Sequence, residues 1–307
     1  MLNFKNVVFL GGDARQLEVI KSCLKMQAKV ILIGFDNLQT PPSSTTFKSL
    51  APSNLEDADI LVLPIVGSDE KGEVSSVFTK EKLILTDKHV KALPKDCLVF
   101  TGIANSYLKS LFLKNNIKLF ELLERDDVAI YNSIPTVEGA LMMAIQNTDI
   151  TIHGSESLVL GFGRVGMSLA RVLKAIGSNV KVFLRKSSDM ARAYEMSLNP
   201  FHLSSLAEHV STVDFIFNTI PSLVLPKEIL AMVPHDVLIV DLASKPGGLD
   251  YDFAKKRGIK AMLAPSLPGI VAPKTAGKVL ANAIIQVLKE QAFLNEEKIN
   301  NLTSILK

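Results

Sequence analysis

Gly161, Gly163 and Gly166 have the spacing Gly-x-Gly-x-x-Gly, which is typical of a loop that binds the diphosphate of a dinucleotide. A short apolar strand precedes them, and apolar residues at helical spacing follow. In such a loop the first glycine allows a tight turn, the second lets the backbone approach the diphosphate, and the third lets the helix pack on the strand. The helix N-terminus supplies free N–H groups for the phosphates. We therefore predict that the loop binds a cofactor through Gly161, Phe162, Gly163, Arg164, Val165 and Gly166.

The end of the next predicted strand, 180–184, determines which dinucleotide fits. Sites for NAD carry Asp or Glu there, because a carboxylate binds the 2′-hydroxyl of the ribose. Here the strand is followed by Arg185, Lys186 and Ser187. Cationic and hydroxyl groups bind a 2′-phosphate, which a carboxylate would repel. The sequence therefore predicts NADP as the cofactor.

Two further loops follow predicted strands in this half of the chain, at the carboxyl ends where open α/β sheets bind ligands. We predict that the first loop passes the adenine-ribose half of the cofactor and that the second passes its nicotinamide end. The residues concerned are Asn218, Thr219, Ile220 and Pro221 in the first loop and Leu242, Ala243 and Ser244 in the second. Lys245 follows directly and has two interpretations. It is an acid, a base or a carboxylate clamp, or it is a solvated surface lysine.

Other charged and polar residues suit an anionic substrate. Arg15 follows a Gly-Gly turn after the first predicted strand, where a guanidinium could bind a carboxylate in bidentate fashion. Lys274 opens the last predicted helix, where a cation opposes the helix dipole and so favours an anionic ligand. Asn132 ends another loop that follows a strand. We assign Arg15, Asn132, Lys245 and Lys274 to the substrate site, and Lys245 and Arg15 to catalysis. The assignment assumes that two sheets face each other across one cleft.

Strands that alternate with helical segments position these loops. Such alternation predicts parallel sheets covered by helices on both faces, and 307 residues allow two domains. We predict an α/β fold of two doubly wound parallel-sheet domains. The first, 1–133, is a flavodoxin-like α/β domain on which the C-terminal helix, 285–307, can pack back. The second, 134–284, is a Rossmann NADP-binding domain, and a helix that begins at Pro135 and ends at 147 bridges the two.

Composition narrows the classes of partner. No uninterrupted apolar run approaches the roughly 20 residues of a membrane helix, so we expect no membrane partner. Two cysteines cannot form a disulfide framework, and they indicate a reduced, cytoplasmic protein. A net charge of +3 without a basic tract gives no reason to expect nucleic acid. The five histidines lack metal-ligand spacing, so we predict no metal site.

Three segments carry a resemblance to a known family: residues 11–18, 124–139 and 267–277. They resemble the A subunits of bacterial dipicolinate synthases, and the similarity extends over most of the chain. These motifs are much more specific than the glycine spacing. They also agree with the charged residues assigned above, because the substrate of that family has two carboxylates.

The resemblance implies an NADP-dependent oxidoreductase of sporulation, on a branch of the lysine pathway. The implied reaction oxidises a (hydroxy)tetrahydro- or dihydrodipicolinate to pyridine-2,6-dicarboxylate. A flavoprotein-like B subunit is the implied partner, the cytoplasm of the mother cell is the implied location, and we expect a homo-oligomer. Two alternatives stay open. One is a stand-alone NADP-dependent amino- or imino-acid dehydrogenase, and the other is a non-catalytic NADP-binding subunit of a flavoprotein complex.

Overall fold

The chain folds into two compact units. A computed structural model describes residues 2–3, 5–244 and 246–305, with side chains described as far as residue 294. The first unit comprises Met1–Ala129 and Pro273–Lys307, and the second comprises Ile130–Ala272. The sequence-based boundaries, 133/134 and 284/285, therefore fall inside two long helices rather than between elements.

A parallel sheet with helices on both faces forms the first unit. The strands and helices described there are β1 (Asn6–Leu10), α1 (Ala14–Lys25), β2 (Lys29–Ile33), β3 (Thr45–Lys48), β4 (Ile60–Val62), β5 (Glu73–Val74), β6 (Leu83–Ile84), α2 (Asp87–Ala92), β7 (Leu98–Thr101), α3 (Ser106–Lys114), β8 (Lys118–Glu121) and α10 (Pro273–Ile305). The sheet has the strand order β3-β2-β1-β4-β7-β8, and all its neighbours pair in parallel. Strands β5 and β6 form a separate antiparallel pair.

This strand order corrects the topology predicted for the first unit. A flavodoxin-like sheet has the order 2-1-3-4-5, whereas the observed order is 3-2-1-4-5-6, that of a Rossmann sheet. The flavodoxin-like prediction is therefore wrong. The difference arises at β3, which follows Pro41 and Pro42 and has no apolar run that would predict a strand. This strand is short and largely exposed, as expected for the edge of a sheet.

The second unit repeats the same arrangement. Its described elements are α4 (Asp126–Asn147, which begins in the first unit), β9 (Glu156–Leu160), α5 (Arg164–Ala175), β10 (Asn179–Leu184), α6 (Ser187–Glu195), β11 (Asn199–His202), β12 (Phe215–Asn218), α7 (Lys227–Leu230), β13 (Leu238–Asp241), α8 (Tyr251–Lys256), β14 (Lys260–Leu263) and α9 (Leu267–Val271). The strand order is β11-β10-β9-β12-β13-β14, again parallel throughout. The prediction of two doubly wound parallel-sheet domains is confirmed.

Each sheet buries both faces, which explains why its central strands are continuous apolar runs. In β9, Val159 faces a core that includes residues of α4 and α5. Its neighbours Leu158 and Leu160 face a second core that includes residues of α7 and α8. The rigid sheet thereby fixes the positions of the loops at its carboxyl edge.

Helix α4 begins earlier than the sequence predicted. It starts at Asp126, and Pro135 lies inside it rather than at its first position. Asp126 and Asp127 in the first turn suit the positive end of the helix dipole. The helix is long and apolar enough to cross a membrane by length and composition alone. However, Val137 and Ala140 are buried in a core of the second unit, which accounts for the apolar face.

Helix α10 packs on the first unit from its first turns. Gly277 permits this, because a Cβ atom there would overlap the carbonyl oxygen of Arg15 on α1. Leu280, Ile284 and Val287 then contribute to the core beside α1. Lys274 consequently belongs to the first unit. The prediction that assigned residues as far as 284 to the Rossmann domain is corrected at this point.

Candidate dinucleotide site and its neighbours

The three glycines of the loop between β9 and α5 differ in what requires them. Gly161 has a φ of +96°, and a Cβ atom there would overlap Thr219 Oγ1. At Gly166 a Cβ atom would overlap the carbonyl oxygen of Gly161, so this glycine lets α5 approach the end of β9. At Gly163, by contrast, φ is −76°, and no described atom outside its chain neighbours lies within 4 Å of the Cβ position. The protein itself therefore does not require glycine at position 163, whereas a closely bound ligand would.

The N-terminus of α5 fits a diphosphate. Gly163 is its N-cap residue, and among the described side chains none forms a capping hydrogen bond there. The first turn of such a helix presents backbone N–H groups that can bind an anion. Gly163 and Arg164 are exposed, Val165 is half-buried and Phe162 is buried. The residues present therefore fit the diphosphate of a dinucleotide.

In the first unit, the turn between β1 and α1 corresponds to the glycine loop, but its backbone groups are hydrogen-bonded within the protein. Asp13 caps α1 and accepts a hydrogen bond from the backbone N–H of Arg15 at 2.9 Å. Gly12 also exchanges backbone hydrogen bonds of 2.9 Å with Ser75 and Val77. A carboxylate and a chain segment therefore occupy the positions in which a diphosphate would bind at α5, although the two sheets have the same strand order.

Basic and hydroxyl side chains lie at the end of β10. Arg185, Lys186 and Ser187 are all exposed. Helix α6 begins at Ser187 with Lys186 as its N-cap, and no described side chain forms a capping hydrogen bond there. An anion at this position would meet a guanidinium and the first N–H groups of a nine-residue helix.

The loop after β12 contains four residues that were predicted to bind the cofactor. Asn218 is fully buried, and its Nδ2 donates to Asp241 Oδ1 at 2.8 Å and to the carbonyl of Ile220 at 3.0 Å. Its Oδ1 accepts from the N–H of Ile220 at 3.0 Å. The side chain of Asn218 therefore serves the loop rather than a ligand. Thr219 donates its hydroxyl to the carbonyl of Leu160 at 2.8 Å, Ile220 is buried and Pro221 is exposed.

The loop after β13 leads to the residue predicted to transfer a proton. Leu242 is half-buried, Ala243 is buried and Ser244 is exposed. Lys245, predicted as catalytic and substrate-binding, lies outside the residues that the structure describes. Sequence reasoning missed Asp241, whose buried carboxylate binds both ends of this loop. A carboxylate directly after an apolar strand was the signal that could have identified it.

Arg15 is held by its own helix cap. Its Nε donates to both oxygens of Asp13 at 3.0 and 3.1 Å, and its Nη2 donates to Asp13 Oδ2 at 2.5 Å. The Arg15 side chain is 12% exposed. Burial raises the pKa of Asp13, but the hydrogen bonds and charge of Arg15 outweigh this and leave that pKa below its usual value. Asp13 binds the Nε side of the guanidinium, and Nη1 lies on the far edge.

The remaining predicted substrate residues fall into both units. Lys274 is exposed at the start of α10. Its charge helps to lower the pKa of Glu18 on α1, after the larger effects of the Lys21 hydrogen bond and charge and of Lys278. Arg15 and Lys274 are therefore on packed neighbouring helices. Asn132 is half-buried in α4 of the second unit, one residue before Ser133, whose hydroxyl is 2.9 Å from that of Ser168 on α5.

Comparison with known proteins agrees with this geometry. Residues 6–123 match the family model of the N-terminal domain of the dipicolinate synthase A subunit. The chain is 48% identical over 290 residues to the dipicolinate synthase A subunit of Bacillus subtilis (strain 168), and the match covers 94% of this chain and 98% of that protein. The chain belongs to the family of dipicolinate synthase A subunits.

Solved structures of the dipicolinate synthase A subunits have the same fold. The crystal structure from Bacillus halodurans superimposes with a TM-score of 0.91 at 49% identity, over 94% of this chain and 99% of that one. The crystal structure from Bacillus subtilis gives a TM-score of 0.90 at 48% identity, over 95% of this chain and 98% of that one.

A second family model describes the other half of this dipicolinate synthase family member. Residues 137–243 match the NAD-binding domain of D-isomer specific 2-hydroxyacid dehydrogenases. This segment contains the glycine loop and the ends of β10, β12 and β13. An NAD(P)-binding domain of the dehydrogenase type is therefore present in the second unit.

Proposed function

We propose that this chain is an NADP-dependent oxidoreductase subunit that oxidises a (hydroxy)tetrahydro- or dihydrodipicolinate to pyridine-2,6-dicarboxylate. Membership of the family of dipicolinate synthase A subunits supports the product, and the dehydrogenase-type domain supports the reaction class. A hydroxytetrahydrodipicolinate first loses water to give dihydrodipicolinate, whereas tetrahydrodipicolinate requires two successive oxidations. From dihydrodipicolinate, the last step removes a hydride and a proton as the ring becomes aromatic. A bound nicotinamide supplies the hydride acceptor for such a step.

The observation that carries this proposal is the N-terminus of α5. It has no described side-chain cap, and the position of Gly163 leaves open space where any other residue would place a Cβ atom. The glycines on either side are required by the fold, but Gly163 is not. A diphosphate that approaches the backbone at this point gives the physical reason for it.

The rest of the chain supplies specificity and proton transfer in this proposal. Arg185, Lys186 and Ser187 bind the 2′-phosphate. The loop Leu242–Ser244 faces the nicotinamide, and Lys245 accepts the proton. Carboxylates of the substrate are bound by Arg15, Lys274 and Asn132.

The biological setting is proposed from the same family membership. The relative in Bacillus subtilis is named as one subunit of a dipicolinate synthase, and we propose a flavoprotein-like B subunit as the partner of this chain. We also propose a homo-oligomer in the cytoplasm of the mother cell during sporulation. The proposal of a dinucleotide site does not depend on the partner, the oligomeric state or the location.

One experiment separates this function from its alternatives. The purified chain is titrated with NADP+ and NAD+, and oxidation of dihydrodipicolinate is then followed with and without the B subunit. We expect tighter binding of NADP+ and formation of pyridine-2,6-dicarboxylate. Turnover of amino or imino acids by the chain alone would favour a stand-alone dehydrogenase. Binding of NADP+ with no turnover in either mixture would favour a non-catalytic subunit.

Cofactor choice gives a direct prediction. Arg185→Asp should weaken NADP+ binding about a hundredfold, because it removes a charge-assisted pair and adds repulsion of the 2′-phosphate. NAD+ binding should change less or improve. Isothermal titration of both cofactors measures the two affinities.

Arg192→Asp is the matched control for that variant. Arg192 lies on α6, the helix that follows Arg185, and its side chain is 62% exposed and pairs with Glu195. It makes the same change in net charge without altering the end of β10. Equal weakening of NADP+ and NAD+ binding by Arg185→Asp would contradict the assignment of the 2′-phosphate to this position.

A further inference from the structure

The most deeply buried carboxylate of the candidate site belongs to Asp241, the last residue of β13, which is 0% exposed. Its Oδ1 accepts hydrogen bonds from Asn218 Nδ2 at 2.8 Å and from the N–H of Ala243 at 3.1 Å. Its Oδ2 accepts from the N–H of Gly248 at 2.7 Å and from Tyr251 Oη at 2.8 Å. The carboxylate is thus surrounded by donors rather than by apolar groups.

This set of partners indicates that Asp241 is ionised. Three of the four are N–H groups, which cannot accept a proton from a neutral carboxyl group. Burial raises the pKa of the Tyr251 hydroxyl, and the hydrogen bond and charge of Asp241 raise it further. The phenol therefore stays protonated and donates. Among the residues that the structure describes, Asp241 has no salt-bridge partner, and these four donors stabilise its negative charge.

The loop that follows β13 is built around this charge. Asp241 binds the N–H of Ala243 near the start of the loop and that of Gly248 near its end. Gly247 has a φ of +93°, and a Cβ atom there would be 2.6 Å from Asp241 Oδ2. At Gly248 a Cβ atom would overlap Asn218 Nδ2. Both glycines are required because the backbone lies directly against the two buried side chains.

The position of the charge relates it to the cofactor. Asp241 pairs in register with Asn218, so the two residues end neighbouring strands at the carboxyl edge of the sheet. Ligands of such sheets bind outside that edge, near the place where the strand order reverses, which here lies between β9 and β12. In the proposed function the loop after β13 faces the nicotinamide.

We infer that Asp241 is a specificity-determining residue that makes the site favour the oxidised cofactor over the reduced one. The inference rests on the proposed function, since it requires the nicotinamide to lie beside this loop. The oxidised nicotinamide ring carries a positive charge and the reduced ring is neutral. A buried carboxylate therefore attracts the oxidised form more strongly than the reduced form. The site selects the hydride acceptor from a mixed pool, and it releases the reduced form more readily.

The test compares the affinities of the oxidised and reduced cofactors. The full chain is titrated with NADP+ and NADPH, and in parallel with NAD+ and NADH. Each pair gives one ratio of the affinity for the oxidised form to the affinity for the reduced form. Asp241→Asn keeps the size of the side chain but removes its charge. We expect it to shift both ratios about fivefold or more towards the reduced form, as expected for the loss of one nearby charge at an effective dielectric of about 20.

Tyr251→Phe is the matched control. It removes one of the hydrogen bonds to the same carboxylate and loosens the same loop, but it keeps the charge. Both ratios should stay within about twofold of the wild-type values. A purely structural role of Asp241 predicts instead that Asp241→Asn and Tyr251→Phe weaken the oxidised and reduced forms equally, and this result would overturn the inference.

The wild-type chain provides a second measurement in case Asp241→Asn does not fold. Its amide would place a donor against another donor, so a loss of stability is expected. The wild type should bind NADP+ at least as tightly as NADPH, and tenfold tighter binding of NADPH would overturn the inference. Binding of neither form to the wild type would contradict the proposed function itself, whereas binding with an unshifted ratio contradicts only the role of Asp241.

Discussion

Replacement of Gly163 by valine should abolish dinucleotide binding and leave the protein folded. The variant side chain would fill the open space at the N-terminus of α5, which a diphosphate needs in order to reach the first N–H groups of the helix. Loss of two or three charge-assisted hydrogen bonds corresponds to at least about a hundredfold lower affinity. Titration with NADP+ and a thermal unfolding curve measure the two properties separately.

Stability should change little in that variant. The backbone at Gly163 has a φ of −76°, which every residue type adopts, and no described atom outside its chain neighbours lies within 4 Å of the new Cβ atom. Valine is a poor N-cap, so a loss of about 1 kcal/mol is expected. Gly166→Ala is the contrasting variant, because its Cβ atom would overlap the carbonyl oxygen of Gly161. It should lower the free energy of unfolding by about 1–3 kcal/mol. A folded Gly163→Val protein with undiminished binding would place the dinucleotide elsewhere.

The sequence-based predictions were most reliable at positions where the structure requires one particular residue type. The glycines at 161 and 166 were predicted to serve a tight turn and close helix packing, and the atoms that exclude a Cβ at each position bear this out. The alternation of buried apolar strands with helices gave the architecture of both sheets for a similar reason. A strand buried on both faces has to be apolar throughout, so its pattern is strong.

The edge strands β3 and β11 were missed because they lack that pattern, whereas the edge strands β8 and β14 were predicted. Strand β3 is largely exposed, and β11 contains Pro200. An edge strand buries little surface and tolerates proline, so neither composition nor periodicity distinguishes it from a loop. The omission of β3 led directly to the wrong topology for the first unit.

The predicted helix boundaries were wrong for a different reason. Proline is common in the first turn of a helix, so Pro135 was predicted to begin α4. In the folded chain the helix continues through it, from Asp126 to Asn147. The unit to which α10 belongs also depends on a tertiary contact, because Gly277 closely approaches the backbone of Arg15. No local property of either sequence segment contains that information.

Hydrogen-bonded side chains were the least predictable part of the candidate site. Asn218 was assigned to the cofactor because it follows a strand, but its amide binds Asp241 and Ile220 inside the protein. Asp13 and Arg15 were not recognised as a pair, although an Asp at a helix N-cap lies within reach of the residue two positions later. A position at the carboxyl edge of a sheet narrows the candidates for a site. Only the partners of each side chain decide which of them remain available to a ligand.

The pairing of Arg15 with Asp13 sharpens the prediction for the substrate. Nε and Nη2 of Arg15 bind the Asp13 carboxylate, so the side chain is fixed in one direction with little exposed surface. A planar guanidinium has a second edge, formed by Nη1 and Nη2, that matches another carboxylate. An arginine already held by one carboxylate loses little further freedom when it binds a second. Asp13 therefore orients Arg15, and it also neutralises part of its charge.

Arg15→Ala should lower kcat/KM for the dicarboxylate about a thousandfold, since two charge-assisted hydrogen bonds to the substrate are lost. Affinity for NADP+ should change less than twofold, because that site lies in the other unit. Lys21→Ala is the matched control. It removes a positive charge from the same helix, where Lys21 is 52% exposed and pairs with Glu18, and exposed pairs contribute little. Initial rates with and without the B subunit give the kinetic constants.

Asp13→Asn distinguishes orientation of the guanidinium from simple attraction. Asparagine caps a helix about as well as aspartate, so α1 should remain intact while the ion pair is lost. If orientation by Asp13 matters, kcat falls although the net charge near the substrate becomes more positive. If Arg15 acts only through its charge, KM falls and kcat is unchanged.

Normal turnover by a folded Arg15→Ala variant would remove Arg15 from the substrate site. A parallel loss of NADP+ affinity would indicate that the substitution disturbed the fold beyond the first unit, rather than that only a carboxylate ligand was lost.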